Sequence, residues 1–321
     1  IDNEPIPGIE TEYALMNQIA PNIPLEAINT VLPQIITDEN IVINVFGPDK
    51  EGVTYPTEEE ILNVLKSVKA EELTAYVDKV SDEPLMKETP KAGKIVKEEN
   101  GPFGSTVWTL SNGVRVVIKP TDFKADQILM RAFSPGGTSL FGTKDALQLK
   151  MLNNVAGVGG LGNFSNVDLE KVLAGKKASI NASVNGLTEG LSGSCSPKDM
   201  ETMLQLTYLS FTAPRMDLDA FESFKNRTKA ELANQEANPM TALSDSLQYA
   251  LYGNHPLAMR VKADMVDQID YNLIMEMYKN RFMEAGDFTF LFVGNINPVE
   301  AKPMIETYLG GLPTIQRKEN F

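Results

Sequence analysis

Cysteine and histidine are nearly absent from this chain of 321 residues, which contains one of each. A single cysteine excludes an internal disulfide framework and a zinc site built from cysteines. Zinc sites in proteins draw three or four ligands from Cys, His, Asp and Glu, and Cys195 and His255 stand about 60 residues apart. The sequence therefore predicts no metal site within this chain.

The same scarcity limits nucleophilic catalysis. Cys195 follows a predicted strand, and His255 is the only imidazole that could serve it as a base. A buried bystander thiol is the commoner role for such a cysteine, and His255, in Gly253-Asn-His-Pro256, is interpreted as a capping or surface residue. No catalytic residue is predicted.

Long apolar runs and clusters of Lys and Arg are also missing. Without 18 consecutive apolar residues, no membrane-spanning helix is predicted, and without a basic cluster, nucleic acid is not an expected partner. The net charge of −14 is uneven, since residues 1–100 hold 8 Lys/Arg against 20 Asp/Glu. The chain opens on Ile1 without an initiator Met, so we expect a removed signal or a longer parent.

Two stretches of the sequence predict the same order of elements: a helix, then an apolar strand that ends in Gly, then a second helix. The first covers 26–33, 41–47 and 57–65, and the second covers 271–278, 288–294 and 298–309. A true duplication would make residues 1–86 the C-terminal half of a preceding module. Residues 87–102, rich in charge, Gly and Pro, then read as a linker, residues 103–315 as a complete module, and 316–321 as a tail.

The complete module mixes hairpins with helices. Ser111-Asn-Gly113 predicts a hairpin within 107–119, Asn185-Gly186 predicts another, and Ser196-Pro197 predicts the start of a helix. Further strands are expected at 127–134, 177–184, 187–194 and 288–294. Further helices are expected at 145–156, 166–173, 218–237, 240–251 and 265–283. This order indicates an α+β fold with a mixed, largely antiparallel sheet covered by helices.

The glycine-rich run Gly157-Val-Gly-Gly-Leu-Gly162 has two readings. It lacks the Lys-Ser/Thr of a phosphate-binding loop and follows a helix rather than a strand, so nucleotide binding is disfavoured. A loop that contacts peptide through Gly157, Gly159 and Gly160 is one alternative. A plain helix-ending connection is the other.

Four segments together resemble the pitrilysin/insulinase family of zinc metallopeptidases. They are Trp108-Thr-Leu-Ser-Asn-Gly-Val-Arg-Val116, Ser134-Pro-Gly-Gly-Thr138, Tyr252-Gly-Asn-His-Pro256, and Tyr278-Lys-Asn-Arg-Phe282 followed by Phe290-Leu-Phe-Val-Gly-Asn-Ile-Asn-Pro298. The resemblance implies the metallohydrolase-like α+β module of that family, whose long members string four such modules together.

The departure from the family lies in one helix. Active members carry His-x-x-Glu-His after the Gly-rich turn, whereas residues 145–156 read Asp-Ala-Leu-Gln-Leu-Lys-Met-Leu-Asn-Asn-Val-Ala. The resemblance therefore implies a segment that is not an enzyme by itself, in a parent that is a zinc metalloendopeptidase with zinc in a missing N-terminal part. The family's substrate-polarising Arg and Tyr are expected outside this chain.

The implied function is part of a peptide-enclosing shell and cleft wall. Its partners would be the remaining modules of the same polypeptide and a peptide or unfolded protein substrate, with the bacterial periplasm favoured over the cytoplasm. The alternative is a catalytically inactive homologue that acts as a scaffold or peptide-binding module.

Overall fold

The computed structural model describes residues 7–35, 37, 39–47, 52, 54–72, 74 and 83–317. The chain divides into two units, Ile1–Val77 and Asp78–Phe321. The first unit contains helices α1 (Ile9–Ile19), α2 (Leu25–Ile35) and α3 (Glu58–Ala70). Helix α3 begins at a capping box, in which Thr57 accepts a hydrogen bond from the Glu60 N–H and the Glu60 carboxylate accepts one from the Thr57 N–H.

The predicted strand at 41–47 is wrong. These residues belong to no strand, and the apolar side chains of Val42 and Phe46 are 80% and 90% exposed. A strand requires a neighbour that pairs with its backbone, and no such neighbour occurs among the described residues of the first unit. The corresponding apolar run at 288–294 has strands on both sides and does form a strand.

The second unit contains a seven-stranded sheet in the order β1-β2-β3-β7-β4-β6-β5. Its strands are β1 (Ile95–Asn100), β2 (Thr106–Leu110), β3 (Arg115–Pro120), β4 (Ile128–Pro135), β5 (Ala178–Val184), β6 (Thr188–Cys195) and β7 (Thr289–Gly294). Only the β3–β7 pair among these strands is parallel. The expected mixed, largely antiparallel sheet is confirmed.

The second unit also contains the helices α4 (Ala146–Val155), α5 (Asn166–Val172), α6 (Met200–Thr212), α7 (Leu218–Glu236), α8 (Pro239–Tyr252), α9 (Tyr271–Phe282) and α10 (Pro298–Tyr308). Helices α4 and α6 contact the sheet directly, α9 and α10 pack against these two, and α8 contacts α7. The core between the layers is aromatic, with the Phe211 ring 5.1 Å from that of Phe282 and 5.0 Å from that of Phe288, both edge to face. The α+β class follows from these two layers.

Strand β1 corrects part of the predicted linker 87–102. Lys97, Glu98 and Glu99 suggested an unstructured connection, but they pair with β2 in an antiparallel ladder. Because β1 is an edge strand, its charged side chains stay in solvent while its backbone is bonded on one side. The other proposed limits, 1–86, 103–315 and 316–321, remain predictions.

A buried ion pair joins the sheet to α9. Arg281 Nη2 lies 2.7 Å from Glu189 Oε1, and each side chain is 1% exposed. The second oxygen of Glu189 accepts a hydrogen bond of 2.6 Å from the Gly137 N–H. One carboxylate therefore ties the turn after β4 and helix α9 to strand β6.

A second buried carboxylate holds the segment after α10. Glu284 is 2% exposed and accepts hydrogen bonds from Thr314 Oγ1 (2.6 Å) and from the N–H groups of Gly286 (2.8 Å), Ile315 (3.0 Å) and Arg317 (2.8 Å). Burial raises the pKa of Glu284, but these hydrogen bonds outweigh it and hold the pKa below its usual value.

Candidate peptide-binding cleft

A cleft of about 520 Å³ lies beside β5 in the second unit. Strand β5 forms one wall and helix α5 lines another, while Leu206, Ser210 and Tyr278 from α6 and α9 also line it. The cleft extends to the glycine-rich loop after α4. It therefore occupies a place where the helical layer leaves the edge of the sheet uncovered.

The open wall of this cleft is a free sheet edge. Strand β5 is last in the sheet order and, in the part of the chain that the structure describes, pairs with β6 alone. Two hydrogen bonds close the ends of the hairpin, from Ser196 N–H to Lys177 O (2.9 Å) and from Asn185 N–H to Thr188 O (2.7 Å). In this register the backbone N–H and C=O groups of the odd-numbered β5 residues point to β6. The backbone groups of the even-numbered residues therefore point to the cleft.

Three of these residues have unpaired backbone groups. They are Ala178, Ile180 and Ala182. Within the described ranges, no hydrogen bond reaches their N–H or C=O groups from the cleft side. Each of them offers one donor and one acceptor to a ligand.

Asn153, on α4, closes one end of the free edge. Its Oδ1 accepts a hydrogen bond of 2.8 Å from the Val184 N–H, and its Nδ2 donates one of 3.1 Å to the Val184 carbonyl. The amide thereby occupies the two positions that a further strand residue would take. A ligand strand can pair with β5 only before Val184.

The glycine-rich loop divides into two parts. Gly157 and Gly160 line the cleft, and Gly160 has a φ of +92° that favours glycine. Gly159 does not line the cleft. A Cβ at this position would lie 2.2 Å from the Arg215 carbonyl oxygen. Arg215 Nη1 also donates a hydrogen bond of 2.7 Å to the Gly159 carbonyl. Gly159 therefore packs against the chain before α7, and peptide contact by any of the three glycines remains a prediction.

Among the described residues, the cleft lining contains few ionisable side chains. Glu170 is the one acidic residue in its lining, and no His, Lys or Cys lines it. Burial raises the pKa of Tyr278, whose hydroxyl donates a hydrogen bond of 3.0 Å to the Ser210 carbonyl.

The residues present do not fit zinc. Helix α4 offers Gln148, Lys150 and Asn153 but no imidazole or carboxylate, and no cluster of three or more His, Cys, Asp or Glu suited to a metal occurs in the described part of the chain. Burial, with the nearby charge of Asp199, raises the pKa of Cys195 to about 12. His255 is exposed in the turn after α8.

Sequence reasoning found the loop but missed Asn153 and the free edge. The alternation of residues 178–184 predicts β5, and Asn185-Gly186 predicts its hairpin with β6, yet neither pattern shows that β5 lies at an edge.

No helix of the described residues is long and apolar enough to cross a membrane.

No family model matches the chain. Among curated proteins, it is 28% identical over 316 residues to the "Zinc protease PQQL-like" protein of Arabidopsis thaliana, with 98% of this chain and 30% of that protein covered. It is 21% identical over 252 residues to the "Probable zinc protease PqqL" of Escherichia coli, covering 78% and 27%. The chain thus spans less than a third of the length of these relatives.

Solved structures share the fold. The crystal structure of the periplasmic protease PqqL from Escherichia coli matches with a TM-score of 0.65 and 20% identity, over 99% of this chain and 35% of that one. The peptidase M16 inactive domain from Pseudomonas fluorescens matches with a TM-score of 0.52 and 18% identity, over 67% and 53%. The shared fold and a zinc-protease relative that matches nearly the whole chain support a pitrilysin/insulinase-family protein, and the match to an inactive M16 domain fits a module without the zinc motif.

Proposed function

We propose that this chain is a non-catalytic segment of a pitrilysin-type zinc metalloendopeptidase and forms part of the shell and cleft wall around the peptide substrate. The observation that supports the proposal is the free edge of β5, which faces a cleft of about 520 Å³. Zinc, and the modules that complete the shell, belong to other parts of the parent polypeptide. Escherichia coli PqqL is a periplasmic protease, which favours the same compartment for this chain.

Docking at β5 would use backbone groups in preference to side chains. The three unpaired residues provide up to six hydrogen bonds to an added strand, and each typically contributes about 0.5–1.5 kcal/mol. Residues 178–182 extend over roughly 17 Å at 3.4 Å per residue, which is the length of a five-residue peptide. Strand addition of this kind selects an extended backbone and tolerates many sequences.

The test measures binding of a labelled extended peptide to the full chain by fluorescence anisotropy. A peptide methylated at every backbone nitrogen should bind at least about tenfold more weakly, since it can donate no backbone hydrogen bond to β5 and two or more hydrogen bonds are lost. Ala182→Pro should weaken binding by a smaller factor, at most about tenfold, because it removes one donor from the free edge while leaving the β5–β6 ladder intact.

The matched control is Ala182→Ser, which keeps the backbone N–H and should bind as the wild type does. Equal binding of the methylated and unmethylated peptides would refute docking at β5. Loss of activity in the parent protein carrying Ala182→Pro would support the cleft-wall role. A parent that is inactive on peptides yet binds them at β5 would favour the inactive scaffold or peptide-binding homologue instead.

A further inference from the structure

The sheet of the second unit has a face that helices do not cover. Burial alternates along β4, with Leu129 and Phe133 each 48% exposed and Arg131 exposed between them, while Met130 and Ala132 are buried. Leu291 on β7 is 37% exposed. Apolar side chains on an exposed sheet face are unusual enough to indicate an interaction surface.

The strand register places these residues on a regular grid. Leu291 lies between Val117 and Arg131 in one row. The rows on either side are Arg115-Thr289-Phe133 and Lys119-Val293-Leu129. We call these nine residues of β3, β7 and β4 the uncovered sheet face.

Positive charge on this face has no counter-charge within strands β3 to β7. Arg115, Lys119 and Arg131 take part in no ion pair in the part of the chain that the structure describes. The one carboxylate in strands β3 to β7, Glu189, points to the helix side, where Arg281 neutralises it. Three unpaired cations therefore surround an apolar centre, in a chain whose net charge is −14.

The spacing of the cations suits an extended ligand. Arg115 and Lys119 are four residues apart on one strand, or about 14 Å, and Arg131 lies two strands away, or about 10 Å. Carboxylates on alternate residues of an extended peptide repeat every 7 Å or so, so several of them can reach the cations at once. Arginine also binds carboxylates through two parallel hydrogen bonds.

We propose that the uncovered sheet face binds acidic, extended peptide segments, with ligand carboxylates on the three cations and ligand apolar side chains against Leu129, Phe133 and Leu291. The site is separate from the cleft, which opens on the helix side of β5, and it does not depend on docking there. This face selects peptides by charge, whereas the β5 edge recognises the peptide backbone alone.

The experiment uses the full chain and two labelled peptides of equal length, one alternating Asp and Leu and the other Lys and Leu. The acidic peptide should bind at least about tenfold more tightly than the basic one. Its advantage should shrink when salt is raised from 0.1 M to 1 M, because the screening length falls from about 10 Å to about 3 Å.

Two double variants then assign the effect to the face. Arg115→Gln/Arg131→Gln should abolish the preference for the acidic peptide, while the matched control Arg115→Lys/Arg131→Lys keeps the charges and should retain most of it. Both substituted positions, Arg115 and Arg131, are exposed, so the fold should survive, and circular dichroism checks this.

Three results would overturn the proposal. The first is unchanged binding of the acidic peptide by the Gln variant, and the second is a preference that salt does not weaken. The third is concentration-dependent self-association that the Gln variant abolishes, since the face would then be an interface between copies of the chain. Ala182→Pro should leave the charge preference intact, which separates failure of this proposal from failure of docking at β5.

Discussion

Replacing Arg281 by Met should be among the most damaging single substitutions in the second unit. The change leaves the Glu189 carboxylate, 1% exposed, without the guanidinium that lies 2.7 Å away, and the Gly137 N–H alone cannot replace it. Breaking a buried pair by removing one partner typically costs about 3–5 kcal/mol. For a unit of this size that corresponds to a fall in melting temperature of roughly 6–20 °C.

The single tryptophan makes the measurement specific to this unit. Trp108 lies on β2 and is 3% exposed, so its fluorescence follows unfolding of the sheet during urea titration. Adding Glu189→Gln to Arg281→Met should restore at least about 1 kcal/mol, because the amide can still accept from Gly137 and no longer buries a charge.

The matched control is an exposed ion pair. Lys177 and Asp126 lie 3.2 Å apart with side chains 70% and 55% exposed, and Lys177→Met should leave the urea midpoint unchanged. A loss below about 1 kcal/mol for Arg281→Met, no larger than typical surface changes, would refute the reasoning, as would a double variant less stable than the single one.

Three further predictions concern the other buried groups, the loop and metal. Glu284→Gln should lower the free energy of unfolding by about 1.5–3 kcal/mol at pH 7. Because the pKa of Glu284 is lowered in the folded state, its stabilising contribution is complete above the unfolded pKa and is lost as the pH falls through the folded pKa. The difference in stability between variant and wild type, measured by urea titration, should therefore shrink in acid. Gly159→Ala should destabilise by about 1–3 kcal/mol because its Cβ meets the Arg215 carbonyl, whereas Gly157→Ala, with no atom within 4 Å, should be neutral in the same assay. Metal analysis after dialysis should find far less than one zinc per chain, and one tightly held zinc would contradict the ligand argument.

Local patterns predicted much of the second unit. Ser111-Asn-Gly113 indicated a hairpin, and Gly113 does adopt a φ of +94° between β2 and β3. The apolar run at 288–294 indicated a strand, and β7 covers Thr289–Gly294. These elements were accessible because their signals lie within a few neighbouring residues.

Long-range arrangement was not accessible in the same way. Nothing local shows that β7 enters between β3 and β4, that β5 is left at the edge, or that Asn153 reaches the backbone of Val184. The failed strand at 41–47 has the same cause, since apolar alternation cannot show whether a pairing strand is present. Gly157 and Gly160 were found because glycine marks a loop, but their place in a cleft depends on tertiary structure.

The central position of β7 has a consequence for biosynthesis. Its parallel partner β3 leaves the ribosome first, and about 170 residues separate Arg115 from its neighbour Thr289. At 5–20 residues per second, the two partners of β7 wait roughly 10–35 s for it. During that interval β3 and β4 present unpaired backbone edges to other nascent chains. Chaperones would need to shield these edges until β7, the strand that joins the two halves of the sheet, has been made.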